Sequence, residues 1–188
     1  MFENPTYIVF DVTGRVAEKV RKIRQNIDPE RADLNIEISI SGSSGLGYLA
    51  PNQPFDIICQ QLTEVCNKIS PFWCHFDKIK KFPNTDIYYL SLKHQKPFFN
   101  SIKILQESNI NFLSNPFSYE AHCTLTLPVQ NDLPNAKLIS EIDFRKIKIP
   151  KEKFYISSLA LYEETKTNSF KTIFRKKLEG GKMTKKYL

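Results

Sequence analysis

Histidine is scarce in this chain: three residues in 188, at His75, His94 and His122. Imidazole acid/base chemistry can therefore rest on these positions alone. Cysteine is sparse too, with four residues, no CxxC pair and no metal-ligand spacing. That pattern argues against a zinc ribbon or a redox dithiol and for reduced, buried thiols. No apolar run approaches the roughly 18 residues that a membrane helix needs. The start "MFENPTY" has no basic stretch leading into an apolar one, so no secretory leader is expected and the expected location is cytoplasmic. The GxxxxGK[ST] phosphate loop is missing, and "SGSSGLG" (residues 41–47) reads as a turn. With no low-complexity segment or interdomain linker, the chain is expected to form one domain large enough to bury its own core.

What is present is apolar and basic. Hydrophobic residues make up 41% and aromatics 12%, enough to exclude wholesale disorder. The net charge is +7, but six basic residues against Glu179 from Arg175 onward supply +5 of it. The body is thus close to neutral, with local basic clusters at Lys78, Lys80 and Lys81 and from Arg145 to Lys153. Such clusters are most often solvated faces, although they also suit an anionic partner. Residues 179–188 are expected to form a basic, flexible tail beyond a domain of residues 1–178.

Periodicity places the elements. "TYIVFDV" reads as a strand, and "GRVAEKVRKIRQNI" as a helix with Val16, Val20, Ile23 and Ile27 on one face. "LNIEISIS" alternates as a strand. "FDIICQQLTEVCNKI" reads as a helix burying Phe55, Ile58, Leu62, Val65 and Ile69. "FWCHFDKIK" and "DIYYLSLK" read as strands paired through "KFPNT", and "PFFNSIKILQES" as a third helix. "HCTLTL" follows as a strand, then a short helix around "LPNAKLISEI" (residues 133–142). "KFYISSLALYEE" and "SFKTIFRKKL" close the chain as strands. Strands and helices mix throughout, with hairpin-like pairs. The fold class expected is α+β with mostly antiparallel sheet.

Two of these strands share a design. In "HCTLTL", alternation puts His122, Thr124 and Thr126 on one face and Cys123, Leu125 and Leu127 on the other. A polar front is ordinary for a half-buried strand, but "NIEISISG" repeats the scheme. Glu37, Ser39 and Ser41 lie on one face, opposite Ile36, Ile38 and Ile40. Each strand thus offers an ionisable group followed by hydroxyls at plus two and plus four. Packed as a pair, two such half-domains would form a cleft. One ionisable group can take a proton from the attacking oxygen and the other can protonate the leaving oxygen. Flanking hydroxyls can donate to a phosphate as charge develops. Tyr48 and Tyr119 lie near this cleft in sequence and are candidates to stack on a base or simply to pack. His75 and His94 lack the hydroxyl at plus two and read as structural or surface residues.

These residues resemble the two-histidine phosphoesterases, the 2′-5′ RNA ligase-like superfamily, whose signature is a repeated His-x-Thr/Ser-x motif. His122-Cys123-Thr124-Leu125 matches the second motif. Glu37-Ile38-Ser39-Ile40-Ser41-Gly42 matches the first except at the histidine, where Glu37 stands. "SLALYEETKTNSFKTIFRKKL" resembles the family's closing hairpin. The resemblance implies a two-lobed α+β fold with antiparallel sheets around a central cleft and helices outside. It also implies a monomeric, metal-independent phosphodiesterase acting on RNA ends, 2′,3′-cyclic phosphates or 2′-5′-linked nucleotides, with no cofactor. His122 and Glu37 are then the acid/base residues, and Thr124, Ser39 and Thr126 hold the substrate. Glutamate ordinarily titrates near about 4.3 and is ionised at neutral pH. It suits a base opposite protonated His122, and suits the acid role only if burial raises its pKa. A non-catalytic RNA- or nucleotide-binding module on the same fold is the alternative.

Overall fold

The computed structural model describes residues 2–126, 142–165 and 170–181, with the backbone alone at Glu30. The helix expected around residues 133–142 lies outside the described residues but for Ile142. Strand β1 (Thr6–Asp11) is buried along its whole length. Helix α1 (Gly14–Ile27) buries Val16, Ala17, Val20, Ile23 and Ile27, the stripe that the 3.6-residue period requires. β2 (Glu37–Ser39) follows, then α2 (Phe55–Lys68), β3 (Phe72–Cys74), β4 (Phe76–Lys81), β5 (Tyr88–Leu92) and α3 (Lys96–Gln106), which carries a proline in its first turn. β6 (His122–Thr124), β7 (Phe154–Ile156), β8 (Ser158–Glu164) and β9 (Phe170–Lys177) complete the order.

The strands form a four-stranded sheet ordered β2-β1-β8-β9, a three-stranded sheet ordered β4-β5-β6 and a two-stranded ribbon β3-β7. Among the described residues every strand pairing is antiparallel, in line with the mostly antiparallel sheet expected. The main core runs through both larger sheets, from Ile8, Phe10 and Ile38 to Leu90, Cys123 and Leu125. No helix among the described residues is long and apolar enough to cross a membrane. Cys66, Cys74 and Cys123 are buried free thiols, and Cys59 is half-buried.

Several expectations need correction. Residues 72–80 form two strands: β3 pairs with β7, β4 pairs with β5, and the change of partner falls at His75. Residues 153–164 likewise split at Ser157 into β7 and β8. Phe55, at the first turn of α2, is 41% exposed. The chain is held past residue 178. Glu179, Gly180 and Gly181 donate backbone N–H groups to the carbonyls of Cys66, Ile69 and Asn67, and Leu178 is buried. In the 41–47 loop, a Cβ on Gly45 would run into the Ile40 carbonyl and one on Gly47 into the Leu113 carbonyl. That close approach explains the glycines without a phosphate.

The two halves repeat one device. β8-β1-β2 and β4-β5-β6 each place a central strand beside a short edge strand, with a helix (α1 or α3) between the two in sequence. In the first half the N–H groups of Ile40 and Ser41 both reach the Ile8 carbonyl, at 2.9 and 3.2 Å. In the second, those of Leu125 and Thr126 both reach the Tyr88 carbonyl, at 2.7 and 3.2 Å. Two donors on one acceptor is the pattern of a β-bulge. The hydroxyls follow suit. Ser41 Oγ accepts from the Ile8 N–H at 2.7 Å, and Thr126 Oγ1 accepts from the Tyr88 N–H at 2.8 Å. This register equates Glu37 with His122, Ser39 with Thr124 and Ser41 with Thr126.

Candidate active site

β2 and β6, the edge strands of the two larger sheets, lie against each other. A pocket of about 200 Å³ opens where they meet. Glu37, Ser39, His122 and Thr124 all line it, so four of the five candidate residues converge there. Thr126 does not. Its hydroxyl donates to the Asp86 carbonyl at 2.7 Å while accepting from Tyr88, and the residue is 1% exposed. Pleated alternation places Thr126 on the front, but the bulge after Thr124 ends the alternation first. The residue knits β5 to β6 and does not line the pocket.

His122 is buried, its ring edge-on to Phe82 and Tyr89 at 5.0 and 5.1 Å between centroids. Its Nδ1 lies 2.7 Å from the Glu120 carbonyl. A carbonyl only accepts, so Nδ1 carries the proton and the neutral ring keeps its lone pair on Nε2. Burial lowers the imidazole pKa below 6.5, against the raising influence of the Glu120 carbonyl and carboxylate. The Glu120 carboxylate is itself tied to Lys80 Nζ at 2.5 Å and Tyr89 Oη at 2.9 Å.

Glu37 moves the other way. Burial raises its pKa from 4.5 to about 7, more than the Arg24 charge and the Ser39 hydroxyl lower it, with Asp11 adding to the rise. Ser39 Oγ donates to Glu37 Oε1 at 3.3 Å. Asp11, opposite Glu37 across the β1–β2 ladder, accepts from Tyr162, Ser158 and both donors of the Arg175 fork. The site therefore holds a carboxyl and an imidazole whose environments bring both toward neutrality.

The shift has a consequence for stability. The fold prefers the protonated glutamate, so the preference is complete below pH 4.5. It is lost as pH rises toward about 7, at a cost of up to about 3 kcal/mol. Glu37→Gln should match the wild type near pH 4 and exceed it at pH 8 by up to that amount in urea denaturation. Parallel pH curves for the two proteins would contradict the burial argument.

Arg24 is the residue that sequence reasoning missed. It is 6% exposed on α1, where a basic helical residue reads as solvent-facing. Its Nε and Nη2 donate to the Thr124 carbonyl at 3.1 and 2.7 Å, and Nη1 donates to the carbonyls of Leu34 and Asn35 at 3.2 and 3.1 Å. One guanidinium thus ties β6 to the approach to β2 and sets a positive charge in the pocket wall. The available signal was its place at i+4 from Val20 on the buried stripe. Tyr48 lines the pocket, edge-on to Tyr7. Tyr119 instead donates its hydroxyl to the Ser39 carbonyl at 3.1 Å and packs on Phe99. His75 and His94 pair with each other, 5.6 Å between centroids, outside this pocket. Among the described residues no group of three or more metal-ligating side chains forms.

No protein-family model matches the sequence, and no curated protein matches it either. Solved structures do. E. coli LigT, in complex with 3′-AMP, superposes with a TM-score of 0.60 at 13% identity, over 95% of this chain and 99% of its own. TT0787 of Thermus thermophilus gives 0.61 at 11% identity, over 94% and 98%. A structure described as a phosphoesterase gives 0.59 at 14%, over 93% and 98%. The α+β architecture expected from the mixture of strands and helices is the one observed, and the chain has the LigT-like fold.

Proposed function

We propose that the chain is a metal-independent phosphodiesterase acting on RNA ends, 2′,3′-cyclic phosphates or 2′-5′-linked nucleotides. The observation that carries this reading is the convergence of Glu37 and His122, at equivalent bulged positions, on one pocket with their pKa values moved toward each other. E. coli LigT, which shares the fold, has been solved with 3′-AMP, with phosphate and with NADP+.

We assign the roles from the environments. His122 Nε2, unprotonated, takes a proton from the attacking water. Water's oxygen bonds to phosphorus, and the bond to the leaving ribose oxygen breaks. Glu37, protonated, passes its proton to that oxygen. The two groups finish as imidazolium and carboxylate and reset through solvent. Thr124, and Ser39 on turning from Glu37, would donate to non-bridging oxygens. A neutral Glu37 does not repel the phosphate, and the Arg24 charge favours it.

The test is turnover of a 2′,3′-cyclic nucleotide and of a 2′-5′ oligoadenylate in EDTA. The rate against pH should be bell-shaped. It should fall on the acid side, below 6.5, as His122 protonates, and on the alkaline side, through about 7, as Glu37 ionises. Absence of turnover of both substrates refutes the proposal. Nucleotide binding without turnover would favour the non-catalytic module.

A further inference from the structure

The ribbon β3-β7 has one buried and one exposed face. Cys74, Phe154 and Ile156 are buried, while Trp73 and Tyr155, partners in the ladder, are 62% and 44% exposed. Their rings lie 4.9 Å apart, tilted by 44°. Such exposure of the chain's one tryptophan beside a tyrosine removes nothing from the core, because alternation along both strands sends these side chains outward. The surroundings are basic. Lys93, His94 and Lys153 are all exposed. Their charges act on His75, which burial and these neighbours together hold below the ordinary imidazole pKa, against the acid Asp77.

We propose that the Trp73–Tyr155 face, with its rim of Lys93, Lys153, His75 and His94, is a stacking platform for single-stranded RNA, separate from the Glu37–His122 pocket. Exposed aromatic rings offer π faces that every base can use, and lysines beside them track the phosphates. Cationic rims suit an anionic partner better than a second copy of this basic chain. The platform stands independently of the phosphodiesterase reading.

The lone tryptophan makes the test specific, since all indole fluorescence comes from this face. Titrating the full chain with an oligouridylate of about ten nucleotides should quench that fluorescence saturably, with an affinity that falls as salt rises. Trp73→Ala and Tyr155→Ala, followed by polarisation of a labelled oligouridylate, should each weaken binding about five- to 150-fold. Lys153→Ala should lower the log–log salt slope by about 0.7. Both aromatic positions are exposed, so these variants should unfold at the wild-type urea concentration. The inference is overturned by absent quenching, by wild-type binding in both aromatic variants, or by quenching that follows protein concentration alone, which marks a self-association face. Quenching without turnover of either the cyclic nucleotide or the 2′-5′ oligoadenylate would sink the phosphodiesterase reading and leave the platform. Turnover without quenching would do the reverse.

Discussion

His122→Ala should lower kcat for a 2′,3′-cyclic nucleotide by about 10²–10⁴-fold, the usual contribution of one positioned acid/base group. The acid limb of the pH profile should vanish with it, because no other imidazole lines the pocket. An alanine there leaves the Glu120 carbonyl without its Nδ1 partner but removes no strand pairing, so folding can be checked separately by urea denaturation. Glu37→His is the informative companion. It restores a second imidazole at the position equivalent to His122. A rate gained where the wild type has none would identify a binding module that has lost its chemistry. A rate that falls while the alkaline limb shifts would show that the carboxyl is suited to its place. An unchanged rate and profile in His122→Ala would remove the imidazole from the mechanism.

Arg24→Met should destabilise the fold by about 1–3 kcal/mol, the cost of leaving a desolvated carbonyl acceptor without its donor. Methionine fills the space but leaves the Thr124 carbonyl without either of its two guanidinium donors, while the carbonyls of Leu34 and Asn35, on less buried residues, can turn to water. Arg24→Lys keeps the charge and loses the planar fork, so its cost should be intermediate. A second readout separates the electrostatic role from the structural one. The Arg24 charge holds the Glu37 pKa down, so Arg24→Met should move the alkaline limb upward while Arg24→Lys should move it little. A midpoint change under about 1 kcal/mol in urea would refute the staple. An unmoved alkaline limb would refute the electrostatic coupling.

The chemistry-bearing strands were legible because their polar and apolar residues alternate cleanly, which fixes which side chains share a face. Helix α1 was legible to the residue, since its apolar stripe ends where Asp28 leaves helical geometry. The misses have physical reasons. Arg24 belongs to a residue type that is almost never buried without a partner, and its partners are carbonyls 10, 11 and 100 residues away in sequence. Thr126 follows the alternation on paper, but a bulge is decided by what the neighbouring strand offers. The breaks at His75 and Ser157 fall inside uninterrupted strand-like runs, where nothing local records that the pairing partner changes. The Glu37 shift depends on desolvation, which exists only once both sheets are packed.

The paired bulges also govern what the two sheets are prevented from doing. β2 and β6 are edge strands that meet, and meeting edges tend to zip together through their N–H and C=O rows. Each strand instead runs for three residues before its next two amides turn inward to a single carbonyl of their own sheet. Spent donors cannot reach across. The bulges thus work as a stop against fusion into one seven-stranded sheet, and the gap left between the strands is the pocket that Glu37 and His122 line.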